Sequence, residues 1–240
     1  MKKLLFSMVC ASFLFGNDYD VALESYKTKD YKQAYEYFLK SANAGNSQAA
    51  HNISIMYNNG DGVEKDIKQS IKWLERASDA NNSYAMTELG NNYMNGYGVE
   101  QDYKKAVALF TQAALLDNPQ AAYNLGYLYT TGTGVALNNT EAISWYEKAA
   151  NLGNENAQIN LGFMYISAQG VTKKKKKAAF YIKKAKDGGS SKADSLWVEF
   201  ELEKYRKEGL RPEYQKGISL FFNSLVKLSH SAAQKSLLVQ

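Results

Sequence analysis

The chain has 240 residues, of which 45% are hydrophobic and 22% charged, with a formal net charge of +5. That hydrophobic share excludes wholesale disorder, and so mild a positive balance argues against a nucleic-acid partner. Two prolines and no sustained apolar–polar alternation leave little room for β-structure, so an all-α chain is expected.

The first sixteen residues, MKKLLFSMVCASFLFG, set Lys2 and Lys3 ahead of an apolar run from Leu4 to Phe15 and end on a small residue. This is the layout of a secretory signal peptide over residues 1–16, too short for a comfortable transmembrane span. Cleavage near Gly16 sends the mature chain to the periplasm or outside the cell. Left uncleaved, the same segment anchors it at the inner membrane. A lipoprotein reading of Cys10 is disfavoured because Val9 stands where a small residue belongs. Cys10 is the only cysteine and leaves with the segment, so the mature chain has no disulfide and no thiol chemistry. Loss of Lys2 and Lys3, with no acidic residue before Asp18, lowers the net charge from +5 to +3.

Residues 17–47 read as a shortened helical hairpin that caps the N-terminal end of a repeat array. Asp30 starts its second helix, and no glycine loop separates it from Tyr26. From Gln48 to Ser191 the sequence then runs through four copies of a 36-residue unit. The first half of each copy carries Ala49/Ile53/Tyr57, Ala85/Leu89/Tyr93, Ala121/Leu125/Tyr129 and Ala157/Leu161/Tyr165, spaced by four and so on one helical face. A small residue follows the Leu or Ile: Ser54, Gly90, Gly126, Gly162. Glycine inside a helix costs about 1 kcal/mol against alanine, so its return implies close approach of a second helix.

A G-x-G-V turn comes next, at Gly60–Val63, Gly96–Val99 and Gly132–Val135, with the left-handed residue that closes a helix. Asp66, Asp102 and Asn138 sit where an N-cap belongs. Gln69 and Glu141, three residues after Asp66 and Asn138, predict capping boxes. The second helices show one bulky residue between small ones, Ser70/Trp73/Ala77, Ala106/Leu109/Ala113 and Ala142/Trp145/Ala149. In the fourth copy Ala168 replaces the first turn glycine and Lys174 the capping residue. Residues 192–240 read as a degenerate repeat and C-terminal capping helices: a helix over Lys192–Tyr205, a second opened by Pro212, and a last one from Ser231. A fixed period of this kind means one supersecondary unit stacked side by side.

The pattern A-x-x-x-L-G-x-x-Y-x-x-G-x-G-V-x-x-D-x-x-x-A-x-x-W-x-x-x-A-A, nearly complete in Tyr84–Pro119 and Gln120–Glu155, resembles the Sel-one-like repeat family, a relative of the tetratricopeptide repeats. The resemblance implies a right-handed α-α superhelical solenoid that serves as a scaffold for protein or peptide binding. In related superhelices the inner stripe of the first helices lines a concave groove. The residues in that register are His51, Ile55, Thr87, Asn91, Tyr123, Tyr127, Ile159 and Phe163, with no Lys or Arg among them. Either they form a peptide-docking surface or they pack between adjacent hairpins.

Lys173–Lys177 are five consecutive lysines that read as a solvated turn or as a weak contact with an anionic envelope surface. His51 and His230 lie far apart in the repeat order with no ligand cluster near either, so no metal is expected. No phosphate loop, G-x-S-x-G or zinc-protease signature occurs, so no cofactor and no catalytic residue is expected. Asp79-Ala80-Asn81-Asn82-Ser83 resembles the acidic-extended N-glycosylation sequon of some bacteria, with Asn81 as acceptor. Two alternatives stay open. A cysteine-rich secreted branch of the family is associated with penicillin binding and β-lactam hydrolysis, but this mature chain lacks the cysteine pairs. The other is a cell-envelope assembly factor.

Overall fold

The computed structural model describes residues 18–167 and 175–204, and every regular element among them is a helix. Residues 1–16, Ala168, Lys173, Lys174, His230 and the helices expected after Tyr205 lie outside the described residues. The helices are α1 (18–27), α2 (Tyr31–Asn43), α3 (Ser47–Asn59), α4 (Ile67–Asp79), α5 (Ser83–Asn95), α6 (Tyr103–Leu115), α7 (Pro119–Thr131), α8 (Asn139–Asn151), α9 (Glu155–Ser167), α10 (Lys175–Asp187) and α11 (Ser191–Lys204). They fall into two compact units, one running up to Ala157 and one starting at Gln158. In the first unit α3–α4, α5–α6 and α7–α8 are hairpins, and each packs on the next through α4–α5 and α6–α7. The described residues therefore form the all-helical array of repeats that the period predicts.

Helix starts are fixed by side-chain caps. Asp66 accepts from the Lys68 and Gln69 amides at 2.9 and 3.1 Å, Asp102 from Lys105 at 3.0 Å, and Asn138 from Thr140 and Glu141 at 3.1 Å each. These are the expected N-caps, but the reciprocal half of the capping box is absent. The cap N–H groups of Asp66, Asp102 and Asn138 instead donate to the carbonyls of Tyr57, Tyr93 and Tyr129, at 3.0, 2.9 and 2.9 Å. Each G-x-G-V loop thus hooks back onto the helix it left, and Gln69 and Glu141 have no cap N–H to reach.

A second series of caps stands at the same spacing on the first helices. Asn46, Asn82 and Asn118 each accept from the amides two and three residues on, and Asn154 accepts from Ala157. Asn118 also donates its Nδ2 to the Ser83 carbonyl at 3.2 Å, tying the α6–α7 turn to the start of α5. Asn118→Ala is therefore expected to cost about 1–2 kcal/mol in urea unfolding. Asn118→Ser keeps the cap without the tie and should lose less.

The repeat formed by α7 and α8 shows what the glycines do. Gly132 closes α7 at φ 69 and donates to the Leu128 carbonyl. Gly134, at φ 72, lies on the preceding hairpin: a Cβ there would fall 2.6 Å from Tyr103 Cβ. Inside α7, Gly126 lies under the Tyr146 ring, where a Cβ would meet ring atoms at 2.6 Å. Gly90 takes Phe110 and Gly162 takes Ile182 in the same way. The close approach predicted from the glycines is real, and the residue that makes it is the one after the bulky position of the repeat pattern. Leu74, Phe110, Tyr146 and Ile182 are the buried wedges, whereas Trp73, Leu109 and Trp145, one residue earlier, are only partly buried. The notch is opposite the next position along the helix, so the bulky Trp rides its shoulder.

Two tyrosine hydroxyls are held inside the first unit. Tyr26 donates to Asp61 Oδ2 at 2.7 Å, and the Tyr35 and Tyr57 hydroxyls are 2.9 Å apart. Burial, then the bond to Asp61, pushes Tyr26 up to about 12, and burial, then the Tyr57 hydroxyl, does the same to Tyr35. The folded state thus holds these protons more tightly than an unfolded chain titrating near 10. Their contribution is complete below pH ~10 and is lost as pH rises towards ~12. Thermal melts should show Tm falling across that window, and the fall should be shallower for Tyr26→Phe.

Candidate functional site

The first helices carry almost no charge. Among the residues of α3, α5 and α7 only His51 and Glu88 are ionisable acids or bases of the His, Asp, Glu, Lys or Arg type, whereas α4 alone has Lys68, Lys72, Glu75, Arg76 and Asp79. Side-chain hydrogen bonds cross from one first helix to the next. His51 Nε2 and Glu88 Oε2 are 2.8 Å apart, linking α3 to α5. Gln120 donates to Asn124 at 2.9 Å, and Asn124 donates to Asn91 at 2.9 Å, linking α7 to α5. Asn52 donates to the Tyr19 hydroxyl of α1 at 3.3 Å.

Five of the eight stripe residues, His51, Ile55, Asn91, Tyr123 and Tyr127, are half-buried. The Tyr123 ring tilts against Tyr146 with centroids 5.7 Å apart. Thr87 is buried, its hydroxyl turned to the Ser83 carbonyl at 2.7 Å. In the second unit Ile159 and Phe163 are also buried, in a cluster with Ile182, Ala185 and Ala193 against Leu196 and Trp197. Thr87, Ile159 and Phe163 therefore face protein, and the accessible stripe is shorter than the periodicity implied. Thr87 turns its hydroxyl back onto its own helix, and Ile159 and Phe163 pack on side chains of α10 and α11 within the second unit.

Asn81 is exposed and left-handed at φ 61, the position that Gly45, Asp117, Gly153 and Gly189 hold after other second helices. Its neighbour Asn82 is buried as the α5 cap, and the Ser83 carbonyl binds Thr87 and Asn118. Among the described residues no three His, Cys, Asp or Glu side chains gather at a point that could hold a metal. Nor is any described helix long and apolar enough to cross a membrane. Along and beside the stripe, α3, α5 and α7 present amides that donate and accept, aromatic rings and, in Glu88, one carboxylate.

The model of the Sel1 repeat matches residues 24–46, 47–82, 83–118, 119–154 and 156–190. The chain belongs to the Sel1 repeat family. A Sel1 repeat protein from Oxalobacter formigenes is 34% identical, with 74% of this chain and 73% of that one covered and a TM-score of 0.69. The structure of c5321, a protective antigen of uropathogenic Escherichia coli displaying an SLR fold, is 27% identical with a TM-score of 0.75. That match covers 95% of this chain and 49% of the other, so this chain spans about half its length. No curated protein matches the chain. Sel1 repeats generally mediate protein–protein interactions, and their fold is typically a non-enzymatic scaffold. The caps at Asn46, Asn82, Asn118 and Asn154 recur once per Sel1 unit. That recurrence, visible as an Asn every 36 residues, is the signal that would have found them.

Proposed function

We propose that this Sel1 repeat protein is exported by way of residues 1–16 and holds a peptide or protein segment along α3, α5 and α7. His51, Ile55, Asn91, Tyr123 and Tyr127 make the contact. The observation that supports this most is the near absence of charge on the first helices combined with amides already linked helix to helix. Asn91 accepts from Asn124, which leaves its Nδ2 to donate to a main-chain carbonyl of the bound segment. Tyr127 offers a ring of low conformational cost beside it. A charged groove would select charged ligands, whereas this one suits the main chain and uncharged side chains of its partner.

A photo-crosslinking side chain placed at 127 in the native cell should trap a protein partner, while the same group at exposed Lys104 should not. Tyr127→Ala or Asn91→Ala should lower capture about tenfold with helical content intact. Unchanged capture by both variants removes the groove from the account. Export is read separately, from the N-terminus of the mature protein and its cell fraction. In that compartment Asn81 is the glycan acceptor, and the intact mass of the native protein should drop to the bare-chain value in Asn81→Gln.

A further inference from the structure

Positive charge is concentrated in one short stretch of this chain. Between Thr172 and Lys192 the sequence has nine lysines and a single acid, Asp187, a balance of +8, so the remaining residues of a +5 chain sum to −3. In the structure α10 turns Ala178, Tyr181, Ile182 and Ala185 into the second unit's interior. At the opposite pole stands Phe180, 60% exposed, one helical turn from Lys177 on one side and from Lys183 and Lys184 on the other. The corresponding exposed positions of the preceding second helices hold Lys72, Ala108 and Ser144. This repeat alone among these four puts an aromatic ring there.

We propose that the outer face of α10, formed by Lys177, Phe180, Lys183 and Lys184, docks on an anionic lipid surface. Clustered lysines on an amphipathic helix gain attraction to acidic headgroups, each adding to binding within a Debye length of the surface. An exposed ring at the centre of such a cluster enters the interface between headgroups and acyl chains. Phe180 is what separates a membrane from a soluble acidic partner: a polyanion rewards the lysines and gives the ring nothing apolar to enter. Asp187 pairs with Lys183 at 2.7 Å and Asp194 with Lys186 at 2.6 Å, both solvent-exposed pairs of small worth that headgroups can replace. Lys177 lies 3.2 Å from the Tyr165 hydroxyl and over its ring, which holds it at the helix start. The rest of the chain being net negative, docking through this face also sets an orientation.

The test is co-sedimentation of the full chain with phosphatidylcholine vesicles and with vesicles that also contain phosphatidylglycerol. The apolar run 4–15 enters both alike, so the readout is the ratio of anionic to neutral binding. That ratio should exceed one, fall as salt is raised, and drop about tenfold in Lys183→Gln/Lys184→Gln. Phe180→Ser should lower binding to anionic vesicles at unchanged net charge, while Lys68→Gln/Lys72→Gln on α4 should leave it as in the wild type. Equal binding to both vesicle types overturns the proposal. So does release by soluble polyglutamate with Phe180→Ser binding as well as wild type, which would assign the face to an acidic macromolecule. Circular dichroism of each variant separates loss of docking from loss of fold.

Discussion

Gly90→Val will cost the first unit about 3 kcal/mol or more, because it drives a branched side chain into a ring that cannot step aside. A single Cβ at this position already falls 2.7 and 2.9 Å from Phe110 Cε1 and Cδ1. Phe110 is fully buried, so α5 and α6 must separate instead. The helix propensity that valine recovers is less than about 1 kcal/mol and does not offset this. The chain carries its own control. In the repeat before, the two corresponding positions are Ser54 and Leu74, both fully buried: a slightly larger notch residue with a slimmer wedge. Gly90→Ser/Phe110→Leu should therefore fold to within about 1 kcal/mol of the parent, although each single change destabilises, a coupling of the size seen between side chains in contact. Urea unfolding of the four proteins measures it. Additive losses would mean that the notch and the wedge do not act as a pair.

Much of this fold is legible in the sequence because a repeat states its rules several times over. The expected N-caps Asp66, Asp102 and Asn138 and the closing Gly60, Gly96 and Gly132 all stand where the period puts them. Each is a local device, fixed by backbone geometry within a few residues. The features that differ depend on partners that sequence spacing alone does not supply. Size alone assigns the wedge to Trp73, Leu109 and Trp145, yet a notch selects by angle as well as by size, and the next residue points into it. Spacing predicts capping boxes at Gln69 and Glu141, but the loop's return to Tyr57 and Tyr129 consumes the N–H such a box needs. The stripe expected from His51 to Phe163 includes Thr87, Ile159 and Phe163, which the structure buries. Periodicity tells which side of a helix a residue occupies, and the neighbouring helix decides whether that side is surface.

Phe163→Ala and Tyr127→Ala, equivalent positions in adjacent repeats, are expected to fail in opposite ways. Phe163 is 5% exposed and packs with Ile159, Ile182, Ala185 and Ala193, so truncating it should cost about 3–5 kcal/mol. Repeat arrays transmit stability mainly between neighbours, so amide exchange should rise first in α9, α10 and α11. Tyr127 is half-buried, and its loss should cost only about 1 kcal/mol while partner capture falls. Measured together, unfolding and capture place each residue. A Phe163→Ala protein as stable as the parent would mean that this part of the stripe is surface after all and available for binding. A Tyr127→Ala protein that unfolds but, where folded, still captures its partner would make the stripe a seam between hairpins along its whole length, and the partner would have to be sought on another face.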